Sequence, residues 1–456
     1  MTDVRAGAET AAQGTPVLRV QAQAANEADS RGAAMLALIR ELHPVMRSIT
    51  GRGLRDTIQR LGQVLPLNVT EVPTGTPVFD WTVPEEWSIE EAYLEHESGR
   101  RFADLRASTL HVVNYSAPVD TMLTLDELKP RLHSLPDRPD WIPYRTSYYK
   151  REWGFCLAHR ELESLPEGRY HAVIRSSHGP GSMTIAEHVH DGATEDEVLV
   201  FAHDCHPALA NDNLAGVAVA IHLGDFLRRR KTRYTYRFVL APATIGSIAW
   251  LATHGEHLSR IRHGLVLSLL GDKGPLQYKT SRTGSCLVDR ATWHVLRTEF
   301  PGAGLRDFTP WGYDERQFCS PGIDLPMGRL TRTPNGEYSE YHTSADTPDI
   351  LSAASLGQSW LACLKIFEAL EANRCYLNLS PKGEPQLGKR GLYRAIGGQK
   401  ELPRREFALL WMLNQSDGKH SLLDIAERSG LPVAELADAA ADLCEAALLA
   451  PTQEAV

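Results

Sequence analysis

The sequence predicts an α/β protein: a central mixed sheet flanked by helices, with an inserted mainly-β subdomain and a C-terminal winged-helix-like domain. Three observations carry this expectation. Short, apolar, β-branched runs alternate with helical patterns from about residue 172 to 375, which calls for a sheet wrapped by helices. Residues 70–171 are instead rich in Trp, Tyr and Pro, with β-like runs and no helix alternation. Beyond a Pro/Gly-containing linker at 380–385, the chain turns to helix, short turn, helix.

Taken in order, residues 1–31 hold no apolar periodicity and no apolar core of a leader, so a disordered tail is expected and not a signal peptide. In residues 32–69, Met35, Leu36, Leu38, Ile39 and Leu42, then Leu54, Ile58 and Leu61, fall at helical spacing. Within 70–171, the runs 76–83, 110–115 and 153–157 read as short strands. Runs at 170–176, 198–202, 236–241, 264–270 and 325–329 read as strands of the main sheet. Residues 32–69 and 172–378 together therefore form the main domain. In residues 386–456, helices are expected at 406–413, 422–429 and 433–446, with a Gly430-Leu431-Pro432 turn before the last. From Pro385 onward there are eight Lys/Arg against ten Asp/Glu. A DNA reader needs a basic face, so this piece is expected to be a packing or protein-contact module.

Composition bounds the function. At 456 residues and 43% hydrophobic content, the chain can bury large cores in more than one domain. The net charge of −9 is interspersed, leaving no footprint for nucleic acid or an anionic membrane. No apolar run approaches the ~18 residues of a transmembrane helix. Seven cysteines without a framework spacing fit a reducing cytoplasm, the expected location. A homo-oligomer stays open.

The chemistry concentrates in His203-Asp204-Cys205-His206 and Asp212-Asn213, between the apolar run 198–202 and an apolar helical stretch from Leu214. Open α/β sheets place their sites at such strand ends. Two histidines at i, i+3 with an aspartate six residues on supply the nitrogen and oxygen donors of a catalytic zinc, three protein ligands with one open position. A lone histidine is more often a packed, hydrogen-bonded residue, and it is the spacing that favours metal here. Far downstream, His342 lies in Glu340-Tyr341-His342-Thr343-Ser344-Ala345-Asp346, flanked by carboxylates able to orient its ring. Cys205 reads as a buried spectator thiol.

Strand-His-x-x-His-Pro, Asn211-Asp212-Asn213-Leu214-x-Gly216, Ile245-Gly246-Ser247 and Tyr341-His342-Thr343 resemble the zinc aminopeptidase superfamily, which includes bacterial leucyl aminopeptidases and glutaminyl cyclases. From about residue 33 onward the chain resembles a branch with an inserted β subdomain and a C-terminal winged helix. The matching stretches are Arg47-Ser48-Ile49-Thr50-Gly51, Phe79-Asp80-Trp81-Thr82-Val83-Pro84, Tyr144 with Ser147-Tyr148-Tyr149, Trp153-Gly154-Phe155-Cys156, Cys205-His206-Pro207 and Gly312-Tyr313-Asp314-Glu315-Arg316-Gln317. The resemblance implies Asp212 as central metal ligand and His342 as another. His203 fits the strand-end histidine by register and His206 by the His-Pro signature, so both stay open. Tyr313 and Asp314 follow as substrate-side residues.

The departures from the superfamily shape the expected chemistry. Its members place a Glu-Glu pair before the Ile/Leu-Gly-Ser, as general base and metal ligand; this chain has Ala243-Thr244. The Asp expected after the next strand corresponds at best to Asp272. The resemblance then implies one zinc ion per chain and hydrolysis of an amide or peptide bond in a small peptide or amino-acid conjugate, as in an aminopeptidase. The alternative is a degenerate relative that keeps the metal but performs another acyl transfer or only binds a ligand. Alternation along an extended segment puts Glu340 on the face of His342 and makes it the expected general base, ahead of Glu187 and Glu315. Arg282 is expected to grip a substrate carboxylate.

Overall fold

A computed structural model describes residues 22–392 and 403–452. The chain opens with α1 (Ala22–Leu42) and α2 (Arg52–Leu61). Strand β1 (Asn68–Pro73) follows, then β2 (Glu86–His96), β3 (Arg101–Phe102), β4 (Val119–Thr124) and β5 (Arg169–Gly179). The main sheet continues with β6 (Ser182–His190), β7 (Glu197–His203), helix α3 (Gly216–Leu227), β8 (Thr235–Ala241), α4 (Ile245–Thr253) and β9 (Ile261–Leu267). Then come β10 (Gln277–Lys279), α5 (Leu287–Glu299), β11 (Gly304–Arg306), the short α6 (Glu315–Phe318), β12 (Met327–Thr331) and α7 (Ala353–Ala372).

The eight-stranded sheet runs β1-β6-β8-β7-β9-β12-β10-β11. Its central strands β8, β7, β9 and β12 are parallel, while β1, β6 and β10 pair antiparallel with neighbours. Strand β7 is buried along its whole length, as a central parallel strand should be. Its side chains sort by the two-residue period. Val198, Val200 and Ala202 join the core under α1, α3 and α7, while Leu199 and Phe201 join the opposite core with Trp250 of α4. Glu197 at the start of the strand is tied up with Arg237 at 2.8 Å, and His203 stands at the carboxyl end.

Three expectations are corrected here. The segment 170–176 does not enter the main sheet. It lies in β5, which pairs with β2 and β4 in a separate antiparallel sheet ordered β3-β2-β5-β4. Run 110–115 forms a short 3-10 turn at Thr109–His111, and run 153–157 contributes only Phe155–Cys156 as strand. The expected tail begins as helix: α1 starts at Ala22, and Ala24 and Ala28 are buried. It packs through small residues, which leave no bulky periodicity to read. A Cβ on Gly32 would sit 2.0 Å from the Ala353 carbonyl oxygen of α7, and one on Gly357 2.2 Å from that of Ala28. Residues 1–21 of that expectation lie outside the described residues.

At the C-terminal end, β13 (Cys375–Asn378), α8 (Arg404–Gln415), β14 (Asp417–Ser421), α9 (Leu422–Ser429), α10 (Val433–Glu445) and β15 (Leu449–Pro451) make three helices and a three-stranded sheet ordered β14-β13-β15. Ser421 and Asp424 form a capping box at the start of α9, and Gly430 closes it at φ 72, where glycine avoids the Cβ clash. This unit is docked on the main domain. Arg290 of α5 pairs with Asp424 at 2.6 Å and with Glu427, and His294 Nε2 donates to the Leu431 carbonyl at 2.9 Å.

Candidate metal site

The loop after β7 is built to present one carboxylate. Asn213 Oδ1 accepts from the Leu269 and Gly216 amides at 3.1 and 3.3 Å, while its Nδ2 donates to the Leu267 carbonyl at 3.0 Å. Asn211 does the same two residues earlier, accepting from the Gly271 amide at 3.0 Å and donating to Asp272 at 3.1 Å. Asp346 accepts the backbone N–H groups of Asn211 and Asp212 at 2.7 and 3.1 Å. Asp212 is thus clamped between two asparagines bolted to the end of β9. Its peptide bond to Asn213 is cis, as is that between Ala243 and Thr244.

Three histidines converge on the Asp212 carboxylate. His203 Nε2 lies 3.0 Å from Oδ1, His342 Nε2 2.9 Å from Oδ2, and His206 Nδ1 3.9 Å from Oδ2. Tyr313 donates its hydroxyl to Oδ1 at 3.0 Å. His203 and Asp212 are fully buried, and His206 Nδ1 has no hydrogen-bond partner. Burial alone would raise the Asp212 carboxyl, yet the hydrogen-bonded imidazoles of His203 and His342 hold it well below the carboxylate range. Burial pushes His206 down to about 3, so it is neutral and keeps its nitrogen lone pair.

The donor chemistry fits a divalent ion. Ligands of a tetrahedral zinc at ~2.0–2.1 Å stand roughly 3.4 Å apart. One donor atom from each of His203, His206 and Asp212 lies within 4.8 Å of the others, and a buried, unpartnered imidazole nitrogen completes the cradle. His203 and His206 are therefore both aimed at Asp212, with His342 on its second oxygen.

Aromatic rings fix each imidazole. Tyr313 stacks on His203 at 4.8 Å and Tyr341 on His342 at 4.0 Å. Tyr144, from the segment between β4 and β5, sets its edge against His206 and His342, both at 5.2 Å. Its amide donates to the His342 carbonyl at 2.8 Å, so the inserted region helps build the site. Behind His203, Asp314 Oδ2 stands 3.8 Å from Nδ1, and its Oδ1 accepts from Ser247 at 2.7 Å. Burial lifts Asp314 to about 6. A carboxylate on the far nitrogen of an imidazole is how metal-bound histidines are oriented. Behind the loop, Arg47 and Asp204 form a buried ion pair at 3.4 Å. Burial pushes the Cys205 thiol well up, leaving it protonated and inert.

Tyr313 and Asp314, expected on the substrate side, instead touch Asp212 and His203. The remaining expected residues stand apart from the cluster. Glu340 is half-buried and accepts from the Ser339 hydroxyl at 2.8 Å. The extended-segment argument fails because the chain turns here: the Thr343 amide donates to the Glu340 carbonyl at 3.1 Å and His342 sits at φ 55. Arg282, expected to grip substrate, pairs with Asp324 at 2.9 Å on the surface. Glu187 accepts from Trp250 at 2.6 Å, and Glu315 is buried against Lys279 at 2.9 Å. Asp346, expected to orient the His342 ring, instead accepts the Asn211 and Asp212 amides, and Tyr144 had no assigned role because only tertiary packing brings it in.

Comparison with known proteins gives the chain a family and a fold. A family model described as a domain of unknown function (DUF4910) matches residues 36–373, and a winged helix-turn-helix model matches 374–451. A Clostridium acetobutylicum protein named for polysaccharide biosynthesis and an aminopeptidase-like domain is 46% identical over 418 residues, 92% of this chain and 96% of its own. A crystal structure from the same organism, carrying the name of a peptidase, superposes with TM-score 0.90 at 43% identity over 94% of this chain and 99% of that one. BSAP, a zinc aminopeptidase from Bacillus subtilis, shares the fold at TM-score 0.55 and 14% identity, over 75% of this chain and 95% of its own.

Proposed function

This chain belongs to the DUF4910 family, and from that premise we propose that it is a metal-dependent amide or peptide hydrolase of aminopeptidase-like fold. In this reading it holds one zinc ion and acts on a small peptide or an amino-acid conjugate. The observation that carries the reading is the convergence of His203, His206 and His342 on the buried Asp212 carboxylate, with His206 Nδ1 unpartnered. What a bound divalent ion supplies there is Lewis acidity toward an acyl carbonyl. Asp212 brings the negative charge, and His203, His206 and His342 bring ring nitrogens as donors. Asn213 Nδ2 lies 3.4 Å and Asp314 Oδ2 3.8 Å from His203 Nδ1, while Tyr144 and Tyr341 line the cleft beside His342. Burial raises both of these tyrosines, so they keep their hydroxyl protons, and Tyr341 accepts from the Tyr313 hydroxyl at 3.2 Å.

A second reading has its own support. Ala243-Thr244 replaces the superfamily's Glu-Glu pair, and Glu340 is not at the cluster, which favours a relative that performs another acyl transfer or only binds a ligand. Elemental analysis of protein purified without chelator, with turnover on aminoacyl anilides before and after chelation, separates the readings. About one zinc per chain with chelator-sensitive turnover is expected. Zinc without turnover on any amide selects the second reading; absence of metal overturns both.

A further inference from the structure

We propose that the cleft beside His342 takes substrate by an anionic group, a carboxylate or a phosphate, gripped by Arg145 and Arg138. The proposal names the substrate class for the metal-site reading and rests on it for where the reacting bond lies. A cleft of about 440 Å³ is walled by Tyr341, His342 and Tyr144 together with Arg138 and Arg145. Both arginines come from the segment between β4 and β5 that also delivers Tyr144 to the histidines, so cation and cluster are positioned by the same stretch of chain.

The charge balance in this cleft is unlike that of the molecule. The chain carries a net −9, yet no Asp or Glu lines the cleft. The carboxylates of the site, Asp212, Asp314 and Asp346, are buried behind the rings. Arg138 is tethered, donating to the Ser339 carbonyl and lying over the Trp141 ring at 5.4 Å. Arg145 is exposed, and among the described residues no carboxylate pairs with it. The nearby Asp140 is already engaged with Arg160 at 3.3 Å. An ordinary surface arginine faces open solvent or an acid. This one faces a concave wall shared with a candidate metal ligand. A guanidinium presents a planar fork that pairs bidentately with carboxylate or phosphate, which a lysine in the same place would not.

The test uses the full chain, stripped of metal by chelator and dialysed, titrated at low ionic strength with inorganic phosphate and, separately, with acetate. Saturable binding of at least one anion is expected, weakening as salt rises. Arg145→Ala and Arg138→Ala should each weaken it tenfold or more while leaving zinc content unchanged. Asp212→Asn should bind the anion as tightly as the parent. Preference for phosphate or for acetate identifies the source of the charge. Saturable binding of neither anion, or an Arg145→Ala chain that binds as well as the parent, overturns the proposal. A chain that takes no zinc but binds the anion through Arg145 fails the metal reading alone.

Discussion

Asp212→Asn isolates the charge at the centre of the cluster, because the amide nearly matches the carboxylate in shape. In the parent, Oδ1 receives His203 and Tyr313 at 3.0 Å each and Oδ2 receives His342 at 2.9 Å. Asparagine keeps one neutral oxygen and turns an N–H toward the other side. A zinc site loses its only anionic ligand, and a weakening of about 100-fold is expected, the upper end of what loss of an orienting neighbour costs. Thermal unfolding with and without zinc reads this directly. At a zinc concentration of about 100 times the parent Kd, binding stabilises the parent by about 2.7 kcal/mol. The variant, then at its own Kd, gains about 0.4 kcal/mol. An unfolding entropy of about 2.1 cal/mol/K per residue, over 456 residues, comes to about 1 kcal/mol/K. The zinc-induced rise in Tm should therefore be about 3 °C in the parent and below about 0.5 °C in the variant. The metal-free variant should still fold, since removing a buried charge offsets much of what the lost hydrogen bonds contributed. An equal zinc-induced rise in both proteins would refute Asp212 as a ligand.

Further outcomes can be checked with the same purified protein. Glu340→Gln should leave zinc content and the zinc-induced Tm rise unchanged, because its carboxyl reaches Ser339 and not the histidines; a loss of either would return Glu340 to the site. Gly32→Ala should lower stability by about 1–3 kcal/mol, since its Cβ would press on the Ala353 carbonyl and overpacking outweighs the gain in helix propensity. A Tm equal to or above the parent's would reject the close α1–α7 crossing. Burial holds His222 and His263 down to about 4, below the unfolded value of about 6.5. The unfolded chain therefore takes up protons first as pH falls. Stability present above pH ~6.5 should drain away toward pH ~4, at most about 3 kcal/mol per histidine. Replacing both by Gln should flatten that slope in urea titrations; an unchanged slope would point to other groups.

Much of the molecule is local enough to be legible in the sequence. The apolar run ending at His203, the short loop and the apolar helix after Leu214 together place two histidines and Asp212 at a strand end. His203 and Asp212 are only nine residues apart, so their spacing makes the cluster legible even though Leu269, Gly271 and Asp346 hold it in place. The C-terminal unit was likewise readable, because the Gly430 cap and the Pro432 start are matters of backbone geometry at single residues. Tertiary structure decided the rest. His342 reaches Asp212 across 130 residues, Tyr144 arrives from the inserted region, and Asp314 and Asp346 approach from behind. Of these only His342 is marked in the sequence, by the Tyr341-His342-Thr343 motif; the others leave no period or motif that fixes a partner. Glu340 shows the reverse failure: alternation was assumed, and a turn at His342 rotated the carboxyl away. Strand β5 and the start of α1 were misread for the same kind of reason. An apolar run states that it will be buried, and an alanine-rich stretch that it can be helical, but neither states against what. Pairing and burial are properties of two surfaces, and only one of them is present in any local stretch of sequence.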